Sequence, residues 1–287
     1  MNMPHARLVA AAVLCTASAL QAQELPTSQP KYVQIIREEV KLGHDADHAK
    51  VEAGWPAAFE RAKSPDFYLA MTSITGANEA WFVIPHQSNA AAEASMKQRA
   101  ADKSLSKELE RLAKADADMI TSVRTLLASA RTDLSYGAYP ELGKQRFWEI
   151  TMFRVRPGHE GQFDAAAKSY IASTKRVSPN ASFRVYEIVA GMPGPTYLIF
   201  SSLTSYAAFD AMASDGEKTW TGMTADEMAT MNKFSTEGLA NVETNRFRLS
   251  PTMSYVPRSV RNSDPAFWMP AKTTVASTAP SAAPTQP

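Results

Sequence analysis

Alternation of side-chain type is clearest in "YVQIIREEVK", from Tyr32, and "FWEITMFRVR", from Phe147. Both stretches are rich in β-branched and aromatic residues, which predicts strands. A Gly-His-acid turn follows each, and then "DADHAKVEAGWPAAFERA" and "EGQFDAAAKSYIASTKRV" read as helices. "FYLAMTSI" and "FRVYEIVA" predict second strands. "WFVIP" and "YLIFS" predict third strands, beyond the turn segments "GANEA" and "GMPGP". Two helical stretches come next in the first part, "NAAAEASMKQRA" and a long amphipathic run from Ser104 to Ala130 with Leu109, Leu112 and Met119 among charges. The second part has "SYAAFDAMA" and "TADEMATMNKFSTEGLANV" in that place. Short strands near "RTDLSY" and "RFRLSP" are expected to close each part.

The same order of elements therefore occurs twice, and the residues repeat with it. Gly43 and Gly158 stand 115 positions apart, as do Ile35 and Ile150, Val40 and Val155, Trp55 and Tyr170, and Arg131 and Arg246. In the middle the offset reads as 116, pairing Phe67 with Phe183 and Trp81 with Tyr197. The expected fold class is α+β: two tandem ferredoxin-like β-α-β-β-α-β units, over 31–143 and 146–258, with lengthened second helical regions. Each such sheet leaves one face bare, and two in one chain can bury those faces as a pseudo-symmetric α/β barrel. A pair completed within one chain favours a monomer.

Charge and composition narrow the partners. Lys and Arg number 30 against 29 Asp and Glu, so there is no positive excess for a phosphate backbone and no nucleic-acid partner is expected. Near the start, "LVAAAVLCTASAL" follows Arg7 and precedes Ala22, a small residue suited to cleavage. A largely apolar run of thirteen residues falls short of the roughly 20 that span a bilayer, so 1–22 reads as a signal peptide and the chain as periplasmic or secreted, with no stable membrane span once it is removed. The single cysteine, Cys15, lies in that leader, which leaves a mature chain without disulfide, thiol nucleophile or cysteine-held metal. At the other end 259–287 is expected to be an extended segment and a tail, since "TTVASTAPSAAPTQP" lacks apolar bulk.

A strand ending in "RVRPGHEGQFDAA", followed by two strands around a Gly-rich turn, resembles the dimeric α/β-barrel superfamily, and within it the NIPSNAP-like and antibiotic-biosynthesis-monooxygenase-like groups. The resemblance spans both units but rests on that one recurrent turn, so it speaks to fold before activity. It implies cofactor-independent monooxygenase or isomerase-like chemistry as one reading. Haem-degrading relatives use an Asn-His-Trp set that has no matching positions here, so no haem chemistry is carried over.

Several residues could carry chemistry. His44 and His159 follow the two glycines and are candidate catalytic groups with Glu149, although a turn that both units need explains them equally. His44, His48 and Glu52 stand at i, i+4 and i+8, so one helix face could present three ligands to a divalent metal. Their counterparts in the second unit, Phe163 and Ala167 for His48 and Glu52, look like core. Gln34 and Glu149 are equivalent polar positions on the first strands, and with Trp81, Tyr186 and Tyr197 they are the candidate ligand-binding set. His86, just after a third strand, reads as a surface loop residue. No G-x-G-x-x-G after a strand, P-loop, G-x-S-x-G elbow or H-E-x-x-H occurs. The expected function is binding of a small apolar molecule in the barrel between the units, without a cofactor. The alternatives are cofactor-free oxidation or isomerisation in that pocket and a non-catalytic interaction module.

Overall fold

The computed structural model describes residues 24–270; the expected signal peptide at 1–22 and the tail beyond 270 lie outside the described residues. The first half runs β1 (Tyr32–Val40), α1 (Asp45–Glu52), α2 (Gly54–Ala62), β2 (Leu69–Ser73), β3 (Glu79–His86), α3 (Asn89–Ala101), α4 (Lys103–Asp116) and β4 (Ile120–Ala130). The second runs β5 (Phe147–Val155), α5 (Glu160–Val177), β6 (Arg184–Ala190), β7 (Thr196–Leu203), α6 (Ala208–Thr221), α7 (Ala225–Lys233) and β8 (Leu239–Leu249). Two short helices follow, α8 (Arg258–Ser263) and α9 (Pro265–Trp268).

The strands close into one antiparallel barrel in the order β1-β3-β2-β8-β5-β7-β6-β4. Each half contributes four contiguous strands in the order 4-1-3-2, with helices on the outer face. Inward-facing Val33, Ile35, Met71, Trp81, Leu126, Ile150, Leu198, Phe200 and Phe247 fill the interior. Ile36, Phe82 and Leu112 pack under the first half's helices, and Phe163, Tyr197 and Phe234 under the second's. Gly43 and Gly158 both take φ +86°, a left-handed turn that favours glycine, and each leads into a helix whose N-cap position is the following histidine, without a side-chain capping bond. Gly54 and Pro56 break the helix expected to run unbroken from Asp45, and the missing Cβ of Gly54 makes room for Leu112 of α4.

The closing strands differ from expectation. The long helix foreseen up to Ala130 ends at Asp116, and Ile120–Ala130 is an eleven-residue strand. Ile120, Thr121, Val123 and Thr125 are β-branched, and this segment pairs with β1 on one side and β6 on the other. In register, Ile35 lies opposite Leu126 and Ile150 opposite Asn245, so the two closing strands correspond at an offset of 119. The likeness of "RTDLS" to "RFRLS" is therefore not structural. The true counterparts are "LSY" at 134–136 and "MSY" at 253–255. Ser135 Oγ accepts the Val185 N–H at 2.9 Å, and Ser254 Oγ accepts the Ala70 N–H at 2.9 Å. Tyr136 bridges to Phe183 and Tyr255 to Tyr68, so each half ends by bonding to the other.

The middle offset also shifts. Arg37 faces Trp81 and Met152 faces Leu198, which makes Leu198 the counterpart of Trp81, and Tyr197 that of Ala80. A one-residue slip changes face. Trp81 points into the barrel and Tyr197 points out, under α5. The segment after 258, expected to be extended, is instead helical up to Trp268, which plugs one barrel mouth and donates its indole N–H to the Gly143 carbonyl at 3.0 Å.

Candidate functional site

Inside the barrel the expected ligand space is small. A cavity of about 60 Å³ remains at one mouth, walled by Leu25, Val33, Tyr139, Leu142, Trp148 and Tyr186. That is room for about two waters at their liquid volume, well short of a drug-sized ligand. A larger space than this lies outside the barrel, between the second half's sheet and its helices, where an aromatic-lined pocket of about 440 Å³ opens.

That pocket has a graded lining. β5 presents Glu149, Thr151 and Phe153 to it on successive outward positions, since Trp148 and Ile150 point into the barrel. Glu149 Oε2 accepts from Arg246 Nε at 3.1 Å, and Arg246 lies 4.0 Å over the Phe209 ring. The Thr151 and Thr244 hydroxyls, 3.0 Å apart, continue the polar end with Ser201. Tyr170, Phe183 and Trp220 wall the middle with Met212 and Met231, and Phe153, Phe163 and Phe234 close the far end.

The first half has a different filling in the corresponding place. Phe153, Phe163 and Phe234 form an aromatic cluster in the second half, with Phe163 stacked on Tyr197 at 3.9 Å. The same register positions in the first half hold Glu38, His48 and Ala80, with Glu52 where the second half has Ala167. Asp116, at the end of α4, stands in the role of Phe234, which begins a π turn of one extra residue before β8. His48 is 2% exposed and Glu52 4%. His48 Nδ1 lies 2.8 Å from Asp116 Oδ1, and Nε2 lies 3.8 Å from Glu38 Oε2. One potential ligand atom from each of the four residues falls within 4.8 Å of the others.

Burial, above all, pushes the Glu52 carboxyl up to about 9, and the neighbouring Glu38 and Asp116 carboxylates add to it. Burial likewise raises Glu38 to about 7, with His48 opposing. Both residues also line a second pocket of about 90 Å³ with Trp55, Tyr68, Phe82 and Arg99.

The residues expected from sequence thus part company. His48 and Glu52 meet, while His44 stands at the N-cap position of α1 outside the cluster and His159 at that of α5, its Nδ1 3.0 Å from Gln162 Oε1. Glu149 lines the large pocket. Gln34 holds the equivalent outward position on β1. Trp81 donates to Glu79 at 2.6 Å inside the barrel, under the Arg37 guanidinium at 4.5 Å. Tyr186 is in the barrel core, and Tyr197 lies beneath α5 rather than in the space between halves. His86 ends β3 and is buried, 8% exposed, where a loop position was expected. Glu38 and Asp116 went unread: Glu38 sits beside another glutamate, and Asp116 lay within a helix expected to continue.

No protein-family model matches the chain, and no curated protein matches it in sequence. Solved structures do resemble it. A candidate monooxygenase from Fusobacterium nucleatum superimposes with a TM-score of 0.53 at 9% identity, over 77% of this chain and 93% of that one. An anthrone oxidase-like protein reaches 0.49 at 13% identity, over 77% and 92%, and a chlorite dismutase from Candidatus Nitrospira defluvii 0.44 at 8%, over 78% and 93%. Among the described residues no helix is long and apolar enough to cross a membrane. What the chain shares with the Fusobacterium protein is its fold, the ferredoxin-like α/β barrel.

Proposed function

We propose that this is an exported tandem barrel, its units at 31–143 and 146–258 the products of duplication, that binds a small, largely apolar ring compound between the sheet and helices of its second unit. The observation that carries this reading is the pocket of about 440 Å³, aromatic along its length with one hydroxyl-lined end. Its size falls in the range of small-molecule sites, roughly 300–1,000 Å³, and a few convergent polar groups would orient the ligand. Export rests on the leader "LVAAAVLCTASAL". The ring of strands closes within one chain, so a second copy is not needed to complete it.

An enzymatic reading is favoured by Glu149. It is the carboxylate at the pocket's polar end, and it is held by Arg246 beside where a ligand's hydroxyl or carbonyl would lie. There it could take a proton from an activated C–H or O–H before oxidation or isomerisation. The shared fold with a candidate monooxygenase is compatible with this but does not argue for it.

Gly216 of α6 lines the pocket, and a Cβ there would meet no atom within 4 Å. Gly216→Phe should fill the space with little strain. An environment-sensitive apolar dye is expected to bind the native chain at one equivalent and to lose at least tenfold affinity in G216F, with the melting temperature kept. Equal affinity in both would overturn the reading.

A further inference from the structure

The four-residue cluster in the first half serves neither the pocket nor the packing of the barrel. Glu38, Glu52 and Asp116 bring three carboxyl groups together beneath the helices, and His48 is the basic group among them, within 4 Å of Glu38 and Asp116; among the described residues no lysine or arginine nitrogen comes within 4 Å of any of the three. Buried carboxylates are retained when they are paired with a cation or hold a metal. Aromatic packing at the matching register positions shows that the fold can fill this place without charge.

The polar atoms point to what is missing. The hydrogen bond from His48 Nδ1 to Asp116 leaves Nε2 on the Glu38 side, and this ring nitrogen has no partner although the residue is 2% exposed. Glu38 Oε2, 3.8 Å away, is also without a partner. Buried polar atoms seldom remain unpaired, and an imidazole nitrogen beside the carboxyl groups of Glu38 and Glu52, which a bound cation would hold deprotonated, is a ligand set for a divalent ion. A carboxylate on the far side of a ligating histidine fixes its tautomer and orientation.

We propose that His48 Nε2, Glu38 and Glu52 bind one first-row divalent cation, such as Mn²⁺, Fe²⁺, Co²⁺ or Zn²⁺, and that Asp116 is a positioning residue for the His48 ring. One nitrogen and two carboxylates leave coordination positions unfilled. Those positions face the pocket of about 90 Å³ that Glu38 and Glu52 also line, with room for about three waters or a small oxygen-bearing ligand. Three protein ligands with open positions are the pattern of a reactive rather than a purely structural centre.

The test uses the purified full chain, stripped with chelator and dialysed, and titrated calorimetrically with Mn²⁺, Co²⁺ and Zn²⁺ separately. At least one ion should bind at one equivalent, and Co²⁺ should give a visible d–d spectrum that Zn²⁺ displaces. Glu52→Gln, which keeps shape, should lower affinity at least 100-fold, and His48→Ala should abolish the spectrum. Asp116→Asn should weaken binding about 10–100-fold and alter the Co²⁺ spectrum. His44→Ala, on the same helix outside the cluster, should bind as the native chain does. Circular dichroism checks that each variant is folded, and E52Q decides should H48A fail to fold. No binding of any of the three ions, or binding unchanged in folded E52Q, would overturn the site; unchanged affinity and spectrum in D116N would overturn the role of Asp116.

Discussion

His48 Nδ1 lies 2.8 Å from Asp116 Oδ1, across 68 residues of chain, and Phe163 and Phe234 make an edge-on aromatic contact in the corresponding place of the second half. One scaffold holds ionisable groups on one side and hydrocarbon on the other. The first half carries the cost of burying charge, and the second shows the packing that avoids it.

That cost predicts a stability effect. In the metal-free chain, Glu38→Phe, His48→Phe, Glu52→Ala and Asp116→Leu together restore an apolar filling. Replacing buried charge clusters by hydrophobic residues is often neutral or stabilising by about 1–4 kcal/mol. Urea unfolding in chelator should show the quadruple variant at least as stable as the native chain. A loss of more than about 1 kcal/mol would mean the polar set is itself a stabilising feature.

The crossover serines should behave alike. Ser254 Oγ accepts the Ala70 N–H and donates to the Ser250 carbonyl at 2.6 Å; Ser135 does the same with Val185 and Arg131, donating at 2.9 Å. Alanine at either position leaves a buried N–H unpaired, at about 1–3 kcal/mol. For a chain of this size each should lower the melting temperature by several degrees. A neutral result at one site alone would show that the two crossovers are not equivalent.

How far this could be read from sequence depends on the kind of signal. Alternation in β1 and β5 and the glycines Gly43 and Gly158 are local, so the strand-turn-helix start of each half was visible. The closing strands were not, because "ITSVRTLLASA" is held by pairing with β1 and β6, and its neighbour α4 carries a strong helical pattern. Of the polar centre, His48 and Glu52 were legible through their helical spacing. Glu38 and Asp116 reach the same point from a strand and from another helix's end, which spacing along the chain does not encode. Trp81 and Tyr197 read as equivalent in sequence, because a single slipped residue that moves a side chain through the sheet leaves no local signal.

His86 should make the chain acid-sensitive. Burial lowers its pKa below the usual histidine value, opposed by Asp66 and reinforced by Arg99. Unfolded, the ring takes a proton near 6.5; folded, it resists until lower pH. Between pH 7 and pH 5 the unfolded chain therefore binds more protons, and stability falls as pH falls. Other groups titrate here, so the comparison is between slopes. Native protein should lose more stability than His86→Gln over that interval, and identical slopes would refute the assignment.

Phe163 is 3% exposed, stacked on Tyr197 and edged by Phe234. Phe163→Ala removes that packing and should cost about 3–5 kcal/mol in denaturant unfolding. It would also enlarge the large pocket at its apolar end, so the dye should still bind. A cost below about 1 kcal/mol would show that the cluster collapses to fill the gap.

The two halves are expected to have parted in role, the first holding a cation and the second an apolar molecule. Native mass spectrometry of the chain expressed from its full sequence and purified without added metal or chelator tests both at once. The expected mass exceeds the bare chain by one metal ion and an organic adduct, with the metal lost in Glu52→Gln and the adduct in Gly216→Phe. A bare chain mass that stays bare after incubation with Mn²⁺, Zn²⁺ and the apolar dye would contradict it.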